Sequence, residues 1–85
     1  METTIKFDDT SSEQCTLLEI VTQDKRGLLY QLASTMARLG CNIEVALIDT
    51  EGKKAIDVFY VTKKGQKLSE VDQTVLLDEL QKALV

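Results

Sequence analysis

The chain changes character at Asp24-Lys25-Arg26-Gly27, and no other feature restricts its fold as much. Before this break, Cys15 to Thr22 is rich in β-forming residues. After it, apolar residues fall at Leu28, Leu29, Leu32, Ala33, Met36 and Leu39, the spacing of a helix with one apolar stripe. Gly40 follows where a left-handed C-terminal cap is commonest, and Arg38 in the last turn suits the helix dipole. Two more β-rich runs, Asn42 to Asp49 and Ala55 to Thr62, flank Thr50-Glu51-Gly52-Lys53-Lys54, which signals a hairpin. Ser69-Glu70-Val71-Asp72 has the form of a capping box opening a last helix, with a stripe at Val71, Leu76, Leu77, Leu80 and Leu84. Ahead of all this, residues 3–8 alternate polar with apolar (Ile5, Phe7) as a short half-buried strand, and the polar tract Asp9 to Gln14 is a loop.

The order strand, strand, helix, strand, strand, helix contains the first five elements of a ferredoxin-like split βαβ fold. In that fold the hairpin's second strand inserts between the strands flanking the first helix. The usual closing strand is missing before Val85. The expected α+β architecture is therefore a four-stranded antiparallel sheet with two helices on one face. Its N-terminal strand takes the position of the usual last strand.

The strand residues sort into two faces. Leu18, Ile20, Ile43, Val45, Leu47, Ile56, Val58 and Tyr60 form an apolar set expected to carry both helices. Leu17, Glu19, Val21, Glu44, Ala46, Ile48, Asp57, Phe59 and Val61 form the second set, which mixes acids with large apolar side chains. Such a face either marks a contact surface or packs on itself.

At 85 residues, with 44% apolar and 28% charged side chains, residues 1–85 are expected to make one soluble domain. No run approaches the roughly 20 apolar residues of a membrane helix, and the N-terminus lacks the basic start of a signal peptide, so the expected location is cytoplasmic. The net charge of −4 disfavours nucleic acid and anionic membranes. Phe59 and Tyr60 are adjacent and point to opposite faces, so the sheet lacks the aromatic platform of an RNA binder. Cys15 and Cys41 lie in apolar segments and are expected to be buried thiols; a disulfide or a reactive thiol is the lesser alternative.

Catalysis has little to work with. The chain has no histidine, which removes His-based triads and His-ligated metals, and the two cysteines form no CxxC pair. Asp8-Asp9 and Asp78-Glu79 read as solvated carboxylates. An acylphosphatase would find Arg26 and Asn42, but its phosphate loop is one glycine short. No cofactor is expected.

One loop has a chemistry of its own. Asp24 to Leu29 ends a strand and starts a helix, so free N–H groups and the positive helix end face it, as suits a carboxylate. Gly27 permits close approach, and Asp24 with Asn42 could hold an ammonium group, which together describes an α-amino acid. On spacing alone the same residues fit better with Asp24 as a helix cap and Asn42 as a turn residue.

Leu18-Glu19-Ile20, Asp24-Lys25-Arg26-Gly27-Leu28-Leu29-Tyr30, Leu39-Gly40-Cys41-Asn42-Ile43 and Asp57-Val58-Phe59-Tyr60-Val61-Thr62 together resemble the ACT domain family. The likeness is closest to the last ACT domain of PII uridylyltransferases and to ACT-repeat proteins. It runs from about residue 4 to the end. The resemblance implies a ferredoxin-like ACT sandwich and a non-catalytic, allosteric module of nitrogen metabolism. Such a module responds to a small amino acid, with glutamine the candidate, and pairs as a homodimer or with another ACT domain. Carried over by the motif, Asp24, Gly27, Leu28 and Asn42 are candidate ligand contacts, with Lys25, Arg26 and Leu29 nearby. The family commonly has proline where Arg26 stands, which here loosens the loop and adds a cation. The alternative is an association module without a ligand.

Overall fold

The alternating and helical periods resolve into six elements in the order expected. They are β1 (Thr4–Asp8), β2 (Thr16–Gln23), α1 (Leu28–Arg38), β3 (Asn42–Glu51), β4 (Lys54–Thr62) and α2 (Glu70–Ala83). The structure, a computed structural model, describes residues 2–85. All strand pairs are antiparallel and the sheet order is β1-β2-β4-β3. The N-terminal strand thus occupies the edge beside β2, as the element order requires. No helix among the described residues is long and apolar enough to cross a membrane.

The helix ends follow from local chemistry. Gly40 has φ of 79°. Its N–H donates to the Ala37 carbonyl at 3.0 Å while the Cys41 N–H reaches Met36 at 2.9 Å, the paired bonds of a Schellman stop. Ser69 caps α2, its Oγ accepting from the Asp72 N–H at 3.1 Å. Lys63 holds the Asp72 carboxyl below its ordinary range, with hydrogen bonds from Ser69 acting the same way. The β3–β4 hairpin is tighter than its sequence suggests. Glu51 pairs with Lys54, leaving only Gly52 and Lys53 as the turn. Positive φ falls at Gly52 but not at Lys53, the pattern of a type II′ turn.

Both helices cover one sheet face. Leu18, Ile20, Phe59 and Val61 from the sheet pack with Leu28, Leu32 and Met36 of α1 and Leu76 and Leu80 of α2. Cys15 and Cys41 are free and buried, as their apolar surroundings predict. On α2, Val71 does not join the stripe: it is exposed.

The expected assignment of sheet faces needs correction in β3 and β4. In β4 the helix-facing residues are Ala55, Asp57, Phe59 and Val61, while Ile56, Val58 and Tyr60 face away. Register explains this, because Leu18 stands opposite Phe59 and Ile20 opposite Asp57. In β3 the register shifts between Ile43 and Val45, so Glu44 is the extra residue of a bulge. Ile43 therefore packs towards the helices, and Val45 and Leu47 lie on the other side with Tyr60 and Val58. A one-residue slip exchanges every later side chain between faces. The uncovered face consequently gathers Leu17, Val21, Val45, Leu47, Ile56, Val58 and Tyr60 around Glu19, and is more apolar than expected.

Candidate functional site

The loop after β2 enters α1 through Gly27, whose φ of 80° and ψ of 3° place it in the left-handed region. An L side chain there is strained even though no atom lies within 4 Å of where its Cβ would stand. Leu28 donates its N–H to the Lys25 carbonyl at 3.2 Å, and Gln31 donates to Gly27 at 3.0 Å. No side chain among the described residues caps this end, so Asp24 does not serve as the helix cap. The first-turn N–H groups of Leu29 and Tyr30 precede the first possible intrahelical acceptors. They lie at the positive end of the helix dipole.

The loop itself is pinned. The Asp24 N–H donates to the Lys53 carbonyl in the hairpin turn at 2.8 Å, which joins the end of β2 to the tip of β3–β4. Between these parts lies a cleft of about 200 Å³. Its walls are Asp24, Lys25, Gly27, Leu28, Leu29 and Tyr30 on one side, and Ile48, Thr50, Ala55 and Asp57 of the sheet on the other. Sites for drug-sized ligands run roughly 300–1,000 Å³. This one has the dimensions of a smaller metabolite.

Of the residues singled out by sequence, Asp24, Lys25, Gly27, Leu28 and Leu29 come together in the cleft. Leu29 is 47% exposed, so it belongs to the rim and not to the core stripe. Arg26 is exposed and does not line the cleft. Asn42 stands elsewhere: it pairs with Thr62 at the end of the sheet where β2 begins. Six residues of strand separate it from Ile48, about 20 Å at the usual rise. Because α1 returns the chain to the start of β2, the residue that opens the next parallel strand is carried away from the loop that precedes the helix. Within this chain, Asn42 is not brought to the loop it was expected to serve.

Asp57 is the residue that sequence reasoning missed. It is 2% exposed, it lines the cleft, and its Oδ1 has no hydrogen-bond partner among the described residues. Leaving such a buried group unpaired costs about 1–3 kcal/mol. Burial raises its carboxyl above the ordinary range; the backbone of Asp49 partly opposes this, and the carboxylates of Asp24 and Asp49 reinforce it. The available signal was the single acid in Ala55-Ile56-Asp57-Val58-Phe59, assigned to the wrong face.

A wider hollow of about 800 Å³ opens at the opposite end, with Glu13, Cys15, Glu44, Thr62 and Lys67 among its lining. Thr62 Oγ1 donates to Glu44 there at 2.7 Å, and no unpaired buried side-chain atom among the described residues lies in it. The cleft at α1 is the better candidate. It brings the uncapped first turn of α1 and the carboxylates of Asp24 and Asp57 to one small space, a mixture of polarities that suits a zwitterion.

A family model described as the ACR9-like, ACT-like domain matches residues 4–85. The bifunctional uridylyltransferase/uridylyl-removing enzyme of Vibrio campbellii is 41% identical over 81 residues, covering 94% of this chain and 9% of that protein. The enzyme of the same description from Ruegeria pomeroyi is 40% identical over 84 residues, covering 96% and 9%. This chain thus spans only 9% of the length of these relatives. Among solved structures, the crystal structure of an unknown protein from Galdieria sulphuraria superposes with a TM-score of 0.65 at 16% identity. The match covers 79% of this chain and 39% of that one, and it supports the fold.

Proposed function

This chain belongs to the ACT-like domain family, and from that premise we propose that it is a non-catalytic regulatory module that binds a small amino acid. The observation that carries the reading is the cleft of about 200 Å³ between an uncapped helix N-terminus and a sheet wall that includes the buried Asp57. The free N–H groups of α1 receive the ligand carboxylate, and Gly27 lets it approach the backbone. Glutamine is the first ligand to try, given relatives that transfer and remove uridylyl groups. The regulated activity would be of that kind, in an attached or partner catalytic region in the cytoplasm. Ligand binding acts by favouring one arrangement of paired modules over another, which requires different affinities for the two.

A thermal-shift and NMR titration of the chain against the twenty protein amino acids tests this. At least one is expected to raise Tm and to shift amide signals of residues 24–30. Gly27→Val places a β-branched side chain at positive φ and is expected to abolish that response. A silent panel at millimolar concentration removes the sensing reading. An unchanged response in Gly27→Val moves the site elsewhere.

The open sheet face favours a second role, association with another copy or with a second ACT domain. Leu47 and Val45 are 53% and 45% exposed there, beside half-buried Val58 and Tyr60. Contiguous apolar surface of this kind usually marks a contact. Light scattering is expected to show a dimer that Leu47→Lys dissociates without unfolding the chain. A monomer at every concentration overturns this role.

A further inference from the structure

Asp57 stands on the helix-facing side of β4 between Ala55 and Phe59, both buried. The Asp49 backbone hydrogen-bonds the carboxyl, but this satisfies only part of it, at a position where an apolar residue would continue the core. Its Oδ1 is unpaired among the described residues, and the cleft is the open space that it borders. Among the described residues the other buried side-chain atom without a partner, Gln31 Oε1, belongs to a residue that does not line the cleft. Leu28, Leu29 and Tyr30 of the first turn of α1 line the same cleft, as does Asp24 of the preceding loop. A carboxylate accepts hydrogen bonds and donates none, so its natural complement is a cation with several donors. A primary ammonium offers three donors and fits a space of this size.

We propose that Asp57 recognises the ligand's primary ammonium group, so that the cleft takes free α-amino acids and rejects α-hydroxy acids of the same shape. This rests on the reading that the cleft binds an amino acid. The polarity of the two walls sets the ligand's direction, carboxylate towards α1 and nitrogen towards β4. A hydroxyl in place of the ammonium leaves the buried carboxylate without its counter-charge. Hydrogen bonds to charged groups have the strength to separate two such ligands by about ten- to a hundredfold.

Isothermal titration of the chain and of Asp57→Asn measures both aspects. The probes are the twenty protein L-amino acids and, for each that binds, the α-hydroxy acid with the same side chain, such as L-lactate against L-alanine. The unmodified chain is expected to prefer the amino acid by at least about tenfold. Asp57→Asn, checked for native circular dichroism, is expected to weaken the amino acid by a similar factor and to shrink the preference. Equal binding of the two classes by the unmodified chain overturns the assignment without needing a variant. So does an Asp57→Asn chain that keeps both affinity and preference. A chain that binds none of the twenty overturns the amino-acid reading itself.

Discussion

Phe59→Ala is expected to remove a large part of the chain's stability. Phe59 is completely buried, stands opposite Leu18 on β2 and Ala46 on β3, and is the largest of the fully buried side chains. Truncating a core phenylalanine costs about 3–5 kcal/mol, from lost transfer energy and the cavity left behind. At 0.05–0.15 kcal/mol per residue, a chain of this length has roughly 4–13 kcal/mol in all. At about 4–8 °C per kcal/mol, Tm should fall by at least about 12 °C. Tyr60→Ala is the internal comparison, because Tyr60 is half-buried on the uncovered face. Urea unfolding of the two variants decides which face carries the core. If Tyr60→Ala proves the more damaging, the face assignment is inverted. If Phe59→Ala stays within about 1 kcal/mol of the parent chain, the core is not where the structure puts it.

The contrast between Phe59 and Tyr60 also shows where sequence reasoning stopped. Element order was legible because each change of period had local punctuation: Asp24 to Gly27, Gly40, the Gly52 turn and Ser69. The replacement of the missing edge by β1 followed from topology, since only one position beside β2 was vacant. Strand phase was not legible in the same way. Both faces of β4 hold large apolar residues, so alternation alone could not orient it, and the bulge at Glu44 reversed the phase within β3. These are properties of pairing between strands, and no single segment contains them. The candidate site divides along the same line. That Asp24, Lys25, Gly27, Leu28 and Leu29 share one loop was legible because strand-to-helix loops have their own chemistry. The place of Asp57 was not legible because it depends on the phase of β4, and Asn42 stands apart from the loop within this chain because strand direction puts it at the far end.

Asp57→Asn should make the unliganded chain more stable at neutral pH. Asp57 lies in the core layer with an unpaired Oδ1, and burial raises its carboxyl above the ordinary value of 3.8. The charges that reach it are those of Asp24 and Asp49, both of which disfavour ionisation. When the folded value exceeds the unfolded one, the folded chain holds the proton longer. The associated stability is complete below the unfolded value, declines as pH rises through the folded value, and is absent above it. Asparagine cannot ionise and avoids that decline. The stability difference between variant and parent should therefore be small near pH 3 and grow as pH rises through the folded value of Asp57. It should then level off at about 1–3 kcal/mol, the cost of an unsatisfied buried group.

Other carboxylates act in the opposite sense. Asp8, whose carboxyl is held at about 2 by Ser11 and Thr10, favours folding as pH rises, but it is common to both chains and cancels in the difference. Tm measured from pH 3 to pH 8 on both chains gives the curve. A variant less stable than its parent at pH 7 would mean that Asp57 is satisfied within the fold, and the case for holding it open to a ligand would fail. A variant that is more stable and binds amino acids poorly would show a group retained for recognition at the expense of folding, the trade expected where function depends on a strained or unpaired residue.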